Sequence, residues 1–293
     1  MVTVLLGAVL ICRVFQAVFV KNVSNAIRSS GMLFRYYALQ NALSALLGLL
    51  ALMLSGEKLR FDRMTLLLSL LFAFALFLAQ VSSVLAIRLG TISLNSMAGT
   101  AGMLVPVLTG ALFFDEKVSP LQLLALAVFF LSMWFLISST KKSSASFDVR
   151  SVFFLALGLL ANGTTMLAQQ LFSRTVTDGS ISLFSVLSFS LIAVFTGVSS
   201  LFMKREKNLP SSGRSLAVSA VILAAALFLI NQISTYLAAT VSPIILFAFI
   251  SGGGTVISAI VASLVYREKM NLRIALSIVF GIASLIAMKL FSI

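Results

Sequence analysis

The chain has few of the residues that enzymes commonly use for chemistry. It contains no histidine and one cysteine, Cys12, and its eight Asp and Glu residues are outnumbered by 21 Lys and Arg residues. One cysteine cannot form an internal disulfide, so the sequence does not indicate a redox compartment. No nucleophile–base set, metal-ligand cluster or cofactor loop is recognisable. We therefore predict that the protein is not an enzyme and has no catalytic residues, no metal and no other cofactor.

Charge of either sign is scarce as well. Only 10% of the 293 residues are charged, 60% are hydrophobic, and the mean hydropathy is +1.13. A soluble domain with this composition would lack the polar residues that its surface requires. A hydrocarbon core takes about 20 apolar residues per helix, so the chain has room for about ten spans and little else. We predict an all-α integral membrane protein that contacts membrane lipid.

The net charge of +13 comes from Lys and Arg residues that lie mostly in short gaps between apolar runs. Nucleic-acid binding favours a continuous basic stripe, whereas charges in such gaps are typical of loops and membrane edges. We therefore predict no nucleic-acid partner.

Ten apolar runs are bounded by charged or turn-forming residues. The first run carries Arg13 in its middle and has neither a basic leader nor a small-residue cleavage site before Lys21, so it is interpreted as a span rather than a signal peptide. The predicted spans are 2–22, 32–55, 64–87, 90–114, 120–139, 151–173, 180–203, 214–238, 241–265 and 271–291.

The two halves of the sequence repeat each other. A polar linker at 140–150 separates a half at 1–140 from a half at 150–293, and an offset of 152 residues pairs Glu116-Lys117 with Glu268-Lys269. The same offset pairs Gln80 with Gln232. Five spans per half, an odd number, would give the halves opposite orientations in the membrane. The sequence thus predicts ten transmembrane helices as two inverted five-helix repeats, with a binding site near the bilayer midplane.

This pattern resembles the drug/metabolite transporter superfamily, in particular its EamA-like branch. The residues that carry the likeness are Ser93 to Pro120 with Glu116-Lys117, Pro243 to Asn271 with Glu268-Lys269, Gln80 to Ala86, and Gln232 to Ala238. The resemblance implies a carrier in a bacterial cytoplasmic membrane, with a central cavity lined by spans one, three, four, six, eight and nine. Small cation-expelling relatives use a Glu in the first helix, and Val2 to Val20 contains none. That departure disfavours cation-for-proton exchange.

Arg13 lies about halfway along the first predicted span, with Gln16 one turn further on the same face. A cation at that depth costs on the order of 3 kcal/mol, so it should face a wet cavity or a partner. A functional Arg13 would bind a carboxylate or phosphate, with Gln16 sharing the ligand or holding the guanidinium. The alternative is a structural role in which Arg13 pairs with a helix C-terminus or with backbone carbonyls.

Further polar residues recur at helical spacing within apolar spans. They line a cavity or, alternatively, form hydrogen bonds between helices. The remaining candidates for substrate binding are Gln80, Asn95, Ser96, Asn162, Thr165, Gln169, Asn231, Gln232 and Tyr236. Glycines in spans four and nine permit close packing or a hinge, and those in span nine lack the Lys-Ser/Thr ending of a phosphate loop. These are Gly99, Gly102, Gly252, Gly253 and Gly254.

The predicted function is secondary transport of a small polar metabolite, anionic or zwitterionic, with amino acids as the first example. All eight acids fall at or beyond predicted span ends, so we expect uniport or exchange by alternating access, without an embedded proton relay. The alternatives are an exporter of amphipathic cations, a lipid or lipid-linked translocase, and a structural membrane subunit. We expect a monomer or a weak homodimer. The Lys and Arg distribution predicts termini outside the cell, whereas the resemblance implies cytoplasmic termini.

Overall fold

The computed structural model describes residues 1–27, 29–56, 61–88, 98–139, 149–176, 179–203, 213–264 and 272–291. All regular secondary structure in these ranges is helical, and they contain no strand. The predicted pair Glu268-Lys269, and most of the predicted linker, lie outside the described residues.

Eleven α-helices and one π-helical turn make up the described secondary structure. They are α1 (Val2–Ala26), α2 (Ser30–Ser55), α3 (Arg63–Arg88), α4 (Leu104–Phe113), α5 (Pro120–Ser139), α6 (Val149–Thr175), α7 (Ile181–Leu201), α8 (Gly213–Leu237), α9 (Pro243–Phe247), the π-helical turn (Ala248–Gly252), α10 (Gly253–Leu264) and α11 (Leu272–Leu290). The helix α9, the π-helical turn and α10 follow one another without a break and together form the ninth apolar segment.

Eight apolar segments of the described chain are helices long enough to cross a membrane. Two shorter apolar helices, Ala98–Phe113 and Pro120–Phe135, occupy the positions of the fourth and fifth predicted spans. Apolar helices of this length have no stable place in water, and a helix satisfies its own backbone polar groups inside lipid. The chain is therefore an α-helical integral membrane protein, as the sequence predicted.

Helix ends follow local capping rules where the sequence supplies the residues. The Oγ atom of Ser29 accepts a hydrogen bond from the backbone N–H of Met32 at 3.2 Å, and Ser180 does the same for Leu183 at 2.9 Å. At the other end of α2, Gly56 adopts the left-handed conformation, with φ of 62°. These caps fix both ends of α2 and the start of α7.

The chain divides into two compact units, each of which combines residues from both sequence halves. The first unit contains 1–77 and 168–239, and the second contains 78–167 and 240–293. Both α3 and α6 contribute one segment to each unit. The division into five-helix repeats at 1–140 and 150–293 concerns the order of the sequence and stays a prediction.

In the first unit, α2 packs along α7 in the opposite direction. Gly48 of α2 lies against Val186, whereas the earlier residue Ala38 lies near the later Gly197. The helix α8 packs against both α1 and α2. A cluster of aromatic rings completes this core, with Phe172 and Phe184 stacked at a centroid distance of 4.4 Å.

In the second unit, α5 packs along α11, also in the opposite direction. Near the start of α5, the Nε2 atom of Gln122 donates to the backbone oxygen of Met288 at 3.3 Å. Near its end, the Nη1 atom of Arg273 donates to the backbone oxygen of Ser138 at 2.9 Å. Along these contacts the residue number increases in α5 and decreases in α11. The two helices are therefore antiparallel, and the contacts fix their register.

Candidate substrate-binding site

Arg13 is the centre of the candidate site because it is a cation held deep within an apolar helix. Its side chain is half-buried, and its Nη1 atom donates a hydrogen bond of 2.8 Å to the Oε1 atom of Gln16. The Nε atom is buried and has no partner among the described residues. Gln16 thus holds the guanidinium in place, and the opposite edge of the guanidinium is left without an acceptor among the described residues.

The protein supplies no carboxylate along the helices to balance Arg13. All eight Asp and Glu residues lie outside the bounds of the described helices. Among the cations of those helices, Arg13 is the one that lies more than two turns from both helix ends. The positive charge at this depth therefore has no anionic partner in the described part of the chain.

Three helices of the first unit are joined by a continuous chain of side-chain hydrogen bonds, called the amide chain below. The Nε2 atom of Gln169 donates to Oδ1 of Asn231 at 2.7 Å, and Nδ2 of Asn231 donates to Oγ of Ser185 at 2.9 Å. Ser185 donates to Oε1 of Gln232, and Nε2 of Gln232 donates to Oγ of Ser182, each at 3.2 Å. The amide chain connects α6, α8 and α7 in the core of the unit.

Helix register places Arg13 at the height of the amide chain. The C-terminal part of α1, at Val23, packs with Ala220 and Leu223 in the N-terminal part of α8. Since the C-terminal part of α1 meets the N-terminal part of α8 and the two helices share an extended contact, they run in opposite directions. Arg13 lies ten residues before Val23 in α1, which is about 15 Å along the helix axis at 1.5 Å per residue. The same distance along α8, counted forward from Ala220 and Leu223, reaches the level of Asn231 and Gln232.

Two further amides of the first unit are completely buried without any hydrogen-bond partner. Asn41 on α2 and Gln170 on α6 are both 0% exposed, and neither the nitrogen nor the oxygen of either amide is paired within the described residues. An unpaired amide in an apolar interior costs about 1–3 kcal/mol. Because neither side chain has accessible surface, we do not include them in the candidate site.

Among the predicted site residues of the second unit, two donate hydrogen bonds to the backbone of their own helix. A third has an amide oxygen without a partner among the described residues. Asn162 donates to the backbone oxygen of Gly158 at 2.8 Å, and Thr165 donates to the backbone oxygen of Asn162. Gln80 is half-buried, and its Oε1 atom has no partner among the described residues. Tyr236, in the first unit, is 47% exposed. Asn95 and Ser96 lie outside the described residues.

The predicted glycines of spans four and nine allow backbones and rings to approach closely. A Cβ atom on Gly102 would lie 2.7 Å from the backbone nitrogen of Gly163 on α6. A Cβ atom on Gly252 would lie 2.6 Å from the ring of Phe129. Gly252 is also the last residue of the π-helical turn, where the regular helix of span nine is interrupted. Gly99 lies beside the amide of Asn162, and Gly253 and Gly254 begin α10.

Of the predicted residues, the structure brings Gln169, Asn231 and Gln232 into one network and joins Arg13 to Gln16. The sequence analysis missed Ser182 and Ser185, which complete that network. A signal was present, because Ser182, Ser185 and Ser188 recur at every third residue of α7, and all three are buried. Serine at this spacing inside an apolar span marks a polar helix face.

Comparison with known proteins identifies a fold without a function. No family model and no curated protein matches the sequence. Among solved structures, 28 chains match. One crystal structure, described only as that of a protein, superposes with a TM-score of 0.80 at 11% identity over 99% of this chain and 97% of its own. The chain is thus similar in fold, along nearly its whole length, to an experimentally determined protein structure.

Proposed function

We propose that the protein is a secondary carrier that moves a small anionic or zwitterionic metabolite by alternating access. In this proposal it is a ten-span carrier of the drug/metabolite transporter type in a bacterial cytoplasmic membrane. The observation that carries the proposal is Arg13, a half-buried guanidinium in the middle of α1 whose only described hydrogen bond is to Gln16. A structural arginine would be expected to pair with backbone carbonyls or with a carboxylate.

A ligand that supplies an oxyanion would resolve the energetic cost at Arg13. A carboxylate or phosphate accepts two parallel N–H bonds from a guanidinium, and the pairing is strong where water is excluded. The amide chain joins the three helices α6, α7 and α8 to one another at about the same height of the first unit. A polar solute would bind at the level where polar side chains lie together inside an otherwise apolar unit.

The packing within each unit supports an inverted repeat. At the offset of 152 residues, α2 corresponds to α7 and α5 corresponds to α11. Each helix packs along its own counterpart, and each pair is antiparallel. Two repeats related by an axis in the membrane plane bring counterpart helices together in this way, and carriers built so can open to either side in turn.

The π-helical turn supplies an irregular element of the kind that carriers use. It interrupts span nine at Ala248–Gly252, directly before the consecutive glycines of α10. Non-helical backbone at membrane depth is tolerated where it is buried in protein or lines a cavity. In the proposed function, this turn is a point at which span nine bends during the transport cycle.

The test is a thermal-shift screen of the purified protein against carboxylates, phosphates, zwitterions and amphipathic cations. We expect carboxylates or phosphates to raise the melting temperature of the wild type, and the shift to disappear in Arg13→Gln. The matched control is Arg35→Gln, which makes the same chemical change at an exposed position of the same unit and should keep the shift. Arg13→Lys retains the charge and is used if Arg13→Gln does not fold.

Two results would decide against the proposal. Stabilisation by cations in the wild type and in Arg13→Gln alike would make Arg13 structural and favour an exporter of amphipathic cations. Strong lipid copurification, with no shift by any solute and no solute flux in liposomes, would favour a lipid translocase.

A further inference from the structure

The hydrogen-bonding groups of Arg13, and those of the amide chain at its height, indicate the charge of the solute more narrowly than the proposed function does. We propose that the site takes a net anion without an ammonium group, such as a hydroxycarboxylate or a phosphate, and discriminates against amino acids. This inference rests on the proposed function, since it assigns the substrate class of the same site.

The donor side of the site is a free edge of one guanidinium. Nη1 of Arg13 is committed to Gln16, and Nε has no partner among the described residues. The Nε and Nη2 atoms of a guanidinium lie on one edge, and their N–H bonds are parallel. That edge matches the two oxygens of a carboxylate or phosphate. One oxyanion therefore completes the hydrogen bonding of Arg13.

The amide oxygens at this height already accept hydrogen bonds within the protein. Oε1 of Gln16 accepts from Arg13, Oδ1 of Asn231 accepts from Gln169, and Oε1 of Gln232 accepts from Ser185, so each has one lone pair left. An ammonium group carries three N–H donors and needs acceptors for each when it leaves water. It would have to share acceptors that the protein already uses, whereas an oxyanion needs none of them.

The unpaired amides elsewhere in the first unit do not change this count. Asn41 and Gln170 carry oxygens without partners in the described chain, but both side chains are 0% exposed. A solute in contact with Arg13 cannot reach a side chain that has no accessible surface. These oxygens are thus closed to an ammonium group in this conformation.

Electrostatics acts in the same direction as the hydrogen bonding. The described helices contain no Asp or Glu residue, so an ammonium near Arg13 would meet a like charge without any fixed counter-charge along the spans. Juxtaposed like charges in a desolvated site cost several kcal/mol. A net anion neutralises Arg13, whereas a zwitterion adds a second cation beside it.

The experiment compares probes that differ only in the amine. Pairs are L-lactate with L-alanine, glycerate with serine, and malate with aspartate, with inorganic phosphate as a separate probe. Binding to the detergent-solubilised full chain is measured by thermal shift and calorimetry on wild type, Arg13→Lys and Arg35→Gln. We expect at least about tenfold tighter binding of the hydroxy acid in a preferred pair, since tenfold corresponds to about 1.4 kcal/mol, well within the like-charge cost.

The variants separate this inference from the function on which it rests. Arg13→Lys should weaken binding of the hydroxy acid, because the fork is lost, but should keep the preference over the amino acid, because the charge remains. The inference would be overturned if the amino acid of a pair bound as tightly as the hydroxy acid or more tightly. If that binding were lost in Arg13→Lys and kept in Arg35→Gln, the carrier proposal would remain intact. Binding of no probe in any pair, with no phosphate binding, would count against both.

Discussion

At the scale of single residues, the first unit contains two buried asparagines that differ in hydrogen bonding. In one, both the amide oxygen and the amide nitrogen are paired, and in the other neither atom is paired among the described residues. Asn231 donates to Ser185 and accepts from Gln169, whereas Asn41 makes no hydrogen bond within the described chain although it is 0% exposed. The contribution of a hydrogen bond to stability depends on what happens to its partner when it is lost. The two asparagines therefore differ in the expected effect of an apolar substitution.

Asn41→Leu should be neutral or should raise the melting temperature of the solubilised protein, because it removes two unpaired polar atoms from an apolar interior. Asn231→Leu should lower it, because Gln169 loses its acceptor and Ser185 keeps only its bond to Gln232, at a cost of about 1–3 kcal/mol for a polar group left unpaired. Thermal unfolding of both variants in the same detergent measures the difference. A larger loss in Asn41→Leu than in Asn231→Leu would show that Asn41 has a partner in the membrane state.

Lysine at position 13 tests a different property of one residue. Arginine and lysine carry the same charge, but only the guanidinium presents a rigid planar fork. The dependence of binding on that fork therefore reports the bidentate contact, whereas the retained preference for anions reports the charge.

At the scale of helices, the interruption of span nine is the feature with the most direct consequence for packing. Gly252 ends the π-helical turn, and the ring of Phe129 on α5 occupies the space that a side chain would need. Phe129 is itself 0% exposed, so its ring is enclosed by protein and cannot swing out to the surface. The contact belongs to the interior of the second unit and joins α5 to span nine.

Gly252→Ala should therefore destabilise the protein by about 1–3 kcal/mol, the usual cost of an overpacked interior. The control is Gly7→Ala on α1, where a Cβ atom meets nothing within 4 Å and alanine favours the helix. Melting temperature and yield after purification measure both. Adding Phe129→Leu to Gly252→Ala should restore part of the loss, and an unchanged loss would mean that the backbone of the turn, not the ring, requires glycine.

At the scale of the whole molecule, the spans could be predicted from hydropathy because lipid requires a long apolar helix wherever the chain crosses. The pair Arg13 and Gln16 could also be predicted, since residues three apart share a helix face. The meeting of Gln169 with Ser185 on another helix could not be predicted, because periodicity gives a face and not its neighbour. The burial of Asn41 and Gln170 without hydrogen-bond partners among the described residues has no signal in the sequence.

The compact units differ from the sequence halves for a related reason. The repeat is predicted from the order of residues, which keeps each half contiguous. Packing instead joins α2 to α7 and α5 to α11, so each unit draws on both halves. An offset in sequence predicts which helices correspond, but tertiary contacts decide which of them share a core.

The distribution of acids across the molecule gives a prediction about energy coupling. With no histidine in the chain and all eight acids outside the described helices, the spans lack groups that bind and release a proton near neutral pH. Substrate flux in proteoliposomes should be unchanged when a pH gradient is imposed or collapsed at constant internal substrate. A protonophore-sensitive flux that follows the gradient strictly would contradict this, and valinomycin with potassium serves as the control for membrane potential.

The amide chain of α6, α8 and α7 has a sense of direction. Each member donates one hydrogen bond to the next, from Gln169 through Asn231, Ser185 and Gln232 to Ser182. Turning one amide alone would set two donors, or two acceptors, against each other, so the amides can reverse only together. The chain therefore has two self-consistent orientations. In the reversed one, Gln169 would accept a bond from Asn231 in place of donating one, so that Oε1 of Gln169, which accepts no bond of the chain in the present orientation, would become occupied.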